Sequence, residues 1–354
     1  MKKRTALFLA AMTATGILAT SCAGGLFSQN DEGTITTAEA PSAEIQQKFR
    51  NEYGILKRLD MVQQNFVNKD GDIHYCQGVY NADKPGKFAI LVFLHGGGEG
   101  GNENLAQIRL AVSEIVKHMR DGGRKVIVLA PQCPDGEIWA QLHRGGEMAE
   151  MREKPFKTVG MIPALIKAKI KEFDADADRV YATGLSMGGY GTWDLLQRYG
   201  TDVFAGGIVC CGGADPNRAK KMKNLPVWIF HGNADNAVPI QLSRYQYVKM
   251  REAGNNNVFF REYPGVEHNC WDRTYANDEV WTWLFSQKRG TVSGVRPAQE
   301  AVVPPTEEQY AEGFGFNGGP KSRYPDGFLP PFPSDEQLKK AGFTRANAFG
   351  GNQR

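Results

Sequence analysis

Residues 88–94 are apolar at every position, and a glycine-rich loop over 96–101 separates them from Leu105, Ile108, Val112, Ile115 and Met119, apolar positions at helical spacing. A strand that alternates apolar and polar residues has one wet face, whereas a strand apolar throughout is covered on both. The unit recurs. Strands are predicted over 125–130, 179–183, 204–210, 227–230 and 258–263, with helices over 159–173, 189–199, 240–253 and 278–287 between or after them. Before this series, extended stretches at 59–67 and 73–80 flank the turn residues Lys69, Asp70, Gly71 and Asp72 and read as an antiparallel hairpin. The prediction is one α/β domain over 44–289: a doubly wound, mostly parallel sheet flanked by helices, with an N-terminal antiparallel hairpin.

Both ends differ from this body. Lys2, Lys3 and Arg4 precede an apolar run from Ala6 to Thr20 that is too short to span a bilayer comfortably, which reads as an export signal. It closes on Leu18, Ala19, Thr20, Ser21 and Cys22, small residues ahead of a cysteine, as at a lipoprotein cleavage site. Residues 1–22 are therefore expected to be a lipoprotein-type signal, with Cys22 lipidated and the protein held to a membrane outside the cytoplasm, periplasmic or at the cell surface. Ordinary cleavage, leaving a secreted protein, is the alternative. Residues 23–43 are small, polar and acidic and read as a tether. Residues 290–354 are rich in proline and glycine yet carry Tyr310, Phe314, Phe316, Tyr324, Phe328 and Phe332, so an irregular C-terminal extension draped over the body competes with a disordered tail. A formal charge of +3 on 354 residues, with basic and acidic positions interleaved, gives no reason to expect nucleic acid as a partner. Beyond Cys22, Cys76, Cys133, Cys210, Cys211 and Cys270 are odd in number and lack metal-ligand spacing, so mostly free buried thiols and no metal are expected.

Chemistry enters where the strand at 179–183 runs into Gly184, Leu185, Ser186, Met187 and Gly188, a G-x-S-x-G between strand and helix. So tight a turn holds the serine in a strained backbone conformation and admits only small residues two before and two after it. A serine hydroxyl is a weak nucleophile near neutral pH and needs an imidazole base oriented by a carboxylate. Asp235 follows a strand in the segment from His231 to Pro239, with Asp215 as the runner-up; capping the next helix is the plain structural role for Asp235. The base must come later still, and His268 is the last of six histidines. Donors for a developing oxyanion are expected at the amides of Met187, after the nucleophile, and of Gly97, in the loop that starts at His95.

The segments from His95 to Asn102, Ala130 to Pro134, Gly184 to Trp193 and Glu267 to Asp272 together resemble the bacterial carboxylesterase and predicted-peptidase group of α/β-hydrolases. That group is related to polyhydroxybutyrate depolymerases, dienelactone hydrolases and acetylxylan and feruloyl esterases, and the likeness covers roughly residues 53–287. It implies the α/β-hydrolase fold, a triad of Ser186, Asp235 and His268, and a carboxylic ester hydrolase more often than a peptidase. Working through an acyl-enzyme, such an enzyme needs no cofactor or metal. Acetyl or feruloyl esters on polysaccharide or oligosaccharide suit an exported, tethered enzyme by analogy alone. The resemblance does not extend to 141–157 or to the tail after Arg289; the stretch 138–157, rich in Met and charge and poor in regular pattern, is placed to cap the site, with Trp139 and Trp271 as aromatic walls or as plain packing. A serine peptidase or acyl-aminoacyl hydrolase of the same fold is the alternative; a silent surface binding protein is disfavoured, because it would have no need of all three triad residue types.

Overall fold

Successive residues of the central strands feed two different cores. Along β4 (Ala89–Leu94), Ile90, Val92 and Leu94 join one buried cluster while Ala89, Leu91 and Phe93 join another. Side chains alternate across a pleated strand, so a run that is apolar throughout must have a hydrophobic layer on each side. The computed structural model describes residues 33–145, 148–298, 302, 305 and 306, and it builds those two layers from helices.

The strands in chain order are β1 (Thr34–Thr37), β2 (Met61–Asn68), β3 (Gly71–Tyr80), β4, β5 (Val126–Pro131), the pair β6 (Leu142–Gly145) and β7 (Met148–Met151), then β8 (Val180–Leu185), β9 (Gly206–Cys210), β10 (Val227–Gly232) and β11 (Val258–Tyr263). The helices are α1 (Ala43–Lys48), α2 (Arg50–Arg58), α3 (Val112–Asp121), α4 (Lys157–Phe173), α5 (Met187–Val203), α6 (Ile240–Glu252), α7 (Cys270–Tyr275) and α8 (Asp278–Ser286). Nine strands form the main sheet in the order β1-β2-β3-β5-β4-β8-β9-β10-β11. From β5 to β11 all neighbours run parallel, while β1, β2 and β3 continue the sheet antiparallel. Helices α4, α5 and α6 pack on one face through residues such as Val159, Trp193 and Met250. Leu56 of α2, Ile115 of α3, Trp271 of α7 and Trp281 of α8 cover the other. The expected doubly wound α/β sheet with an antiparallel N-terminal side is what forms. No helix among the described residues is long and apolar enough to cross a membrane.

Three local expectations are corrected. Thr34–Thr37 is not tether: it pairs antiparallel with β2, Thr34 opposite Val67, and Ile35 packs on the core, so the backbone edge of β2 is satisfied by a third strand on the antiparallel side. The helix expected from Leu105 begins only at Val112, after a single 3-10 turn at Ala106–Ile108 and a left-handed Ala111 with φ 63°. Buried amides hold the preceding chain as a loop: Gln107 Nε2 donates to Asn104 Oδ1 at 2.6 Å, and the Asn104 N–H donates to Gln132 Oε1 at 2.6 Å. Finally, residues 138–157, expected to be irregular, contain the antiparallel β6–β7 pair, with Leu142 and Met151 in the core.

The chain passes from β4 to β5 on one side, then returns to β8 on the other side of β4. This reversal opens a crevice at the carboxyl ends of β4 and β8, the place where doubly wound sheets bind ligands.

Candidate active site

Ser186 stands directly after β8 with φ 54° and ψ −119°, a conformation that costs on the order of 1–3 kcal/mol and persists only if its surroundings hold it. The glycines show what holds it. A Cβ on Gly188 would sit 1.9 Å from the Leu94 carbonyl oxygen, and one on Gly184 would sit 2.4 Å from the Gly188 oxygen. A Cβ on Gly189 would sit 2.4 Å from the Cys210 oxygen. The elbow is thus pressed between the ends of β4 and β9, and the Ser186 N–H donates to the Cys210 carbonyl at 3.1 Å.

Asp235 and His268 arrive on two loops that share one close approach. At Gly232, the last residue of β10, a Cβ would lie 2.1 Å from the Val266 oxygen and 2.4 Å from the Glu267 oxygen. The loops are tied further by Ala234 N–H to Val266 O at 3.0 Å and Gly265 N–H to Asn233 Oδ1 at 2.8 Å. As a result His268 Nδ1 lies 2.8 Å from Asp235 Oδ2, and its Nε2 lies 2.8 Å from Ser186 Oγ. A carboxylate can only accept, so Nδ1 carries the proton and Nε2 is left to accept from the serine hydroxyl. All three predicted triad residues are brought together.

The carboxylate of Asp235 is fully buried, while the His268 side chain is 20% exposed. Burial alone would push that carboxyl up. Hydrogen bonds from His231 and His268, the charge His268 can carry, and the Val238 amide outweigh burial and hold the Asp235 carboxyl well below the usual carboxylate range. The capping role and the orienting role coexist on different oxygens, because Oδ1 accepts the Ala237 and Val238 amides at 2.8 Å each. Asp215, the runner-up acid, is elsewhere. Its Oδ1 accepts the Asn217 amide at 3.0 Å, and its Oδ2 takes the Met151 amide at 3.2 Å and Arg218 at 3.1 Å, which anchors the foot of β7.

Two residues that sequence reading passed over support the site. His231 is fully buried beneath Asp235, with Nε2 at 3.2 Å from Oδ2 and 2.9 Å from the Val238 carbonyl, and Nδ1 at 2.8 Å from Ser243 Oγ. Two acceptors at Nε2 mean that nitrogen bears a proton, so Asp235 receives a second imidazole donor. His95 plays the matching part at the other end. Its Nε2 accepts the Cys133 amide at 2.9 Å, which leaves Nδ1 to donate to the Gly96 carbonyl at 2.6 Å. In a trans peptide the carbonyl and the following N–H point opposite ways, so gripping Gly96 O aims the amide of Gly97. The signals were faint: His231 opens the segment holding Asp235 and His95 precedes the glycine loop, but only the tertiary contacts give either ring its partners.

Gly97 opens a 3-10 turn after β4, and Met187 opens α5 after Ser186. Leu94 and Gly184 are register partners, and the elbow touches both Leu94 and His95, so the two amides expected to receive an oxyanion start from the same end of adjacent strands. The aromatic walls are corrected in part. Trp139 is 0% exposed and its indole N–H donates to the His95 carbonyl at 3.0 Å, so it braces the loop from behind and cannot line a cleft. Trp271 stands edge-on to the His268 ring at 5.3 Å and is nearly buried, packing against the imidazole. Cys76, Cys133, Cys210, Cys211 and Cys270 are all buried and none is joined in a disulfide. Cys22, the residues 146 and 147, and the aromatics from Tyr310 to Phe332 lie outside the described residues.

A strained serine on a strand-to-helix elbow, joined through imidazole to a buried carboxylate at the C-terminal edge of a doubly wound sheet, defines a serine hydrolase of the α/β-hydrolase fold. More narrowly, the chain belongs to the phospholipase/carboxylesterase family, whose profile matches residues 74–277. It is 28% identical over 214 residues to acyl-protein thioesterase 1 of Debaryomyces hansenii, a span covering 55% of this chain and 89% of that one. It is also similar to a thermostable esterase of known crystal structure, at 34% identity and a TM-score of 0.57. That match covers 65% of this chain and 64% of the esterase, so this chain spans a little under two thirds of the esterase's length.

Proposed function

We propose that the protein hydrolyses carboxylic esters through an acyl-enzyme on Ser186. The observation that carries this reading is the continuous relay of two 2.8 Å contacts from Ser186 Oγ through His268 to Asp235 Oδ2. As Oγ attacks the substrate carbonyl, His268 Nε2 takes its proton, and the imidazolium that forms is stabilised by the ionised Asp235. The Gly97 and Met187 amides receive the oxyanion; a single donor of this kind is worth about 10²–10³ in kcat. The imidazolium then protonates the departing alcohol, and a water activated by the same base releases the acid. Esters of acetyl or feruloyl groups on carbohydrate are the substrate class we assign, supported by the resemblance to acetylxylan and feruloyl esterases and by the export-type N-terminus. A thioester reading has its own support in the similarity to acyl-protein thioesterase 1, and it uses the same steps with a better leaving group.

The first test is labelling of the full chain by a fluorophosphonate together with turnover of p-nitrophenyl acetate. Ser186→Ala is expected to abolish labelling and to lower kcat by about 10⁴–10⁶-fold. An intact, folded chain that neither labels nor turns over the ester sinks the proposal. Acetylated xylo-oligosaccharides, feruloylated oligosaccharides, acyl-thioesters and aminoacyl anilides compared by kcat/KM then rank the leaving groups, and a preference for anilides would replace the esterase with a peptidase.

A further inference from the structure

Cys211 has no part in the relay, yet the structure puts its thiol beside it. It follows β9 in a left-handed conformation with φ 42°, and its N–H donates to the Phe230 carbonyl at 2.9 Å. Its side chain is fully buried immediately after the last residue of β9. One donor atom from each of Cys211, Asp235 and His268 lies within 4.8 Å of the other two. A tetrahedral ion with metal–sulfur bonds of about 2.3 Å and metal–nitrogen and metal–oxygen bonds of about 2.0–2.2 Å has donors about 3.3–3.7 Å apart, so contraction of about an ångström closes the site. Thiolate, imidazole and a single carboxylate are a donor set for borderline or soft divalent cations such as Zn²⁺ and Cd²⁺, and a poor one for Mg²⁺ or Ca²⁺.

We propose that Cys211, Asp235 and His268 form an inhibitory site for a soft divalent cation, which shuts the enzyme off by capturing its base. His268 Nδ1 is the nitrogen that faces Asp235, at 2.8 Å from Oδ2, so it is the nitrogen a shared ion takes. In the resting site Nδ1 holds the proton and Nε2 accepts from Ser186. An ion on Nδ1 moves that proton to Nε2, the Cys211 thiol gives its own proton to solvent, and the Asp235 carboxylate changes from hydrogen-bond acceptor to ligand. The imidazole stays neutral, but Nε2–H can no longer accept the serine proton, and Ser186 loses its base. Entry is past His268, whose side chain is 20% exposed, since the Asp235 carboxylate and Cys211 are buried.

The effect on rate rests on the esterase reading above, whereas binding does not, and the experiment separates them. Zn²⁺ and Cd²⁺ are titrated into the full chain, followed by thiolate-to-Cd²⁺ charge-transfer absorption without substrate and by p-nitrophenyl acetate turnover. The expected result is a charge-transfer band together with loss of turnover, both reversed by EDTA and neither produced by Mg²⁺. Loss of even an outer partner of a metal ligand costs about 10–100-fold in affinity, so Cys211→Ala is expected to remove the band and raise the half-inhibitory concentration by at least about tenfold. Its turnover without metal is expected to stay near that of the parent. Cys211→Ser, closer in shape, serves if the alanine variant folds poorly. An unchanged half-inhibitory concentration in the folded variant, or a parent chain with no band, overturns the site. A band that depends on Cys211 in a chain without esterase turnover would keep the site and remove the esterase.

Discussion

Asp235 divides its work between its oxygens. Oδ1 accepts two backbone amides and fixes the loop, while Oδ2 is shared by His268 at 2.8 Å and His231 at 3.2 Å. His231 is therefore a positioning residue: it never meets the substrate, but it holds the acid that holds the base. Replacing it with alanine leaves Val238 O, Ser243 Oγ and Asp235 Oδ2 short of a donor or partner in a dry interior. Esterase kcat in His231→Ala is expected to fall about 10²-fold with KM little changed, as a misplacement near an ångström does. His231→Gln, which retains a donor, should recover part of it; equal losses in both variants would make the residue merely structural. The lowered pKa of Asp235 also makes a statement about stability. A carboxyl whose folded pKa lies below its unfolded value of about 3.9 adds stability that is present above that value and is lost as pH falls through the folded one. Urea denaturation of parent and Asp235→Asn should show a stability gap at neutral pH that narrows below about pH 4. A gap constant with pH would mean that the ionised form is not favoured by folding.

At the scale of elements, the site exists because three turns are pressed together more closely than any side chain allows. Gly188 is the point of closest approach, with a hypothetical Cβ 1.9 Å from Leu94 O, and the obstacle is backbone, which cannot swing aside. Gly188→Ala should therefore separate α5 from the end of β4. Overpacking of this kind costs typically about 1–3 kcal/mol, read by chemical denaturation, and here it should lower turnover more than stability predicts because it parts the Met187 and Gly97 amides. Retention of parental turnover would show that the oxyanion donors lie elsewhere. The β6–β7 pair is held at its foot by hydrogen bonds instead: Met151 N–H to Asp215, Arg218 to the Met151 and Arg152 carbonyls, and Arg198 to the Arg152 and Glu153 carbonyls. Asp215, which follows a strand just as Asp235 does, is used there. Position after a strand was legible for both aspartates and Asp235 ranked first; the close approach of its loop to the histidine loop at Gly232 is what the structure adds.

For the molecule as a whole, we propose an exported lipoprotein with a hydrolase body behind a short lead. Metabolic labelling with palmitate should tag the chain and place it in the membrane fraction, and Cys22→Ala should lose both; label retained in that variant would move the anchor elsewhere. The lead is shorter than composition suggests, since Thr34–Thr37 adds a strand to the sheet. A four-residue polar strand has no apolar run to announce it, because its stability comes from the open edge of β2. Much else was readable from the chain alone. Runs apolar at every position meant a sheet covered on both faces, helical spacing meant its covers, and G-x-S-x-G between a strand and a helix meant an elbow, because covalent geometry and local sterics impose each of these within a few residues. Chain order then singled out His268. Contacts between residues far apart in the chain decided the rest: that Asp235 and not Asp215 meets His268, that His95 Nδ1 donates to Gly96 and His231 Nε2 faces Asp235, that Trp139 lies behind the loop, and that a cysteine thiol stands against the triad. Burial and hydrogen-bond partnership are properties of the space between elements, and no single segment encodes that space until the sheet has formed.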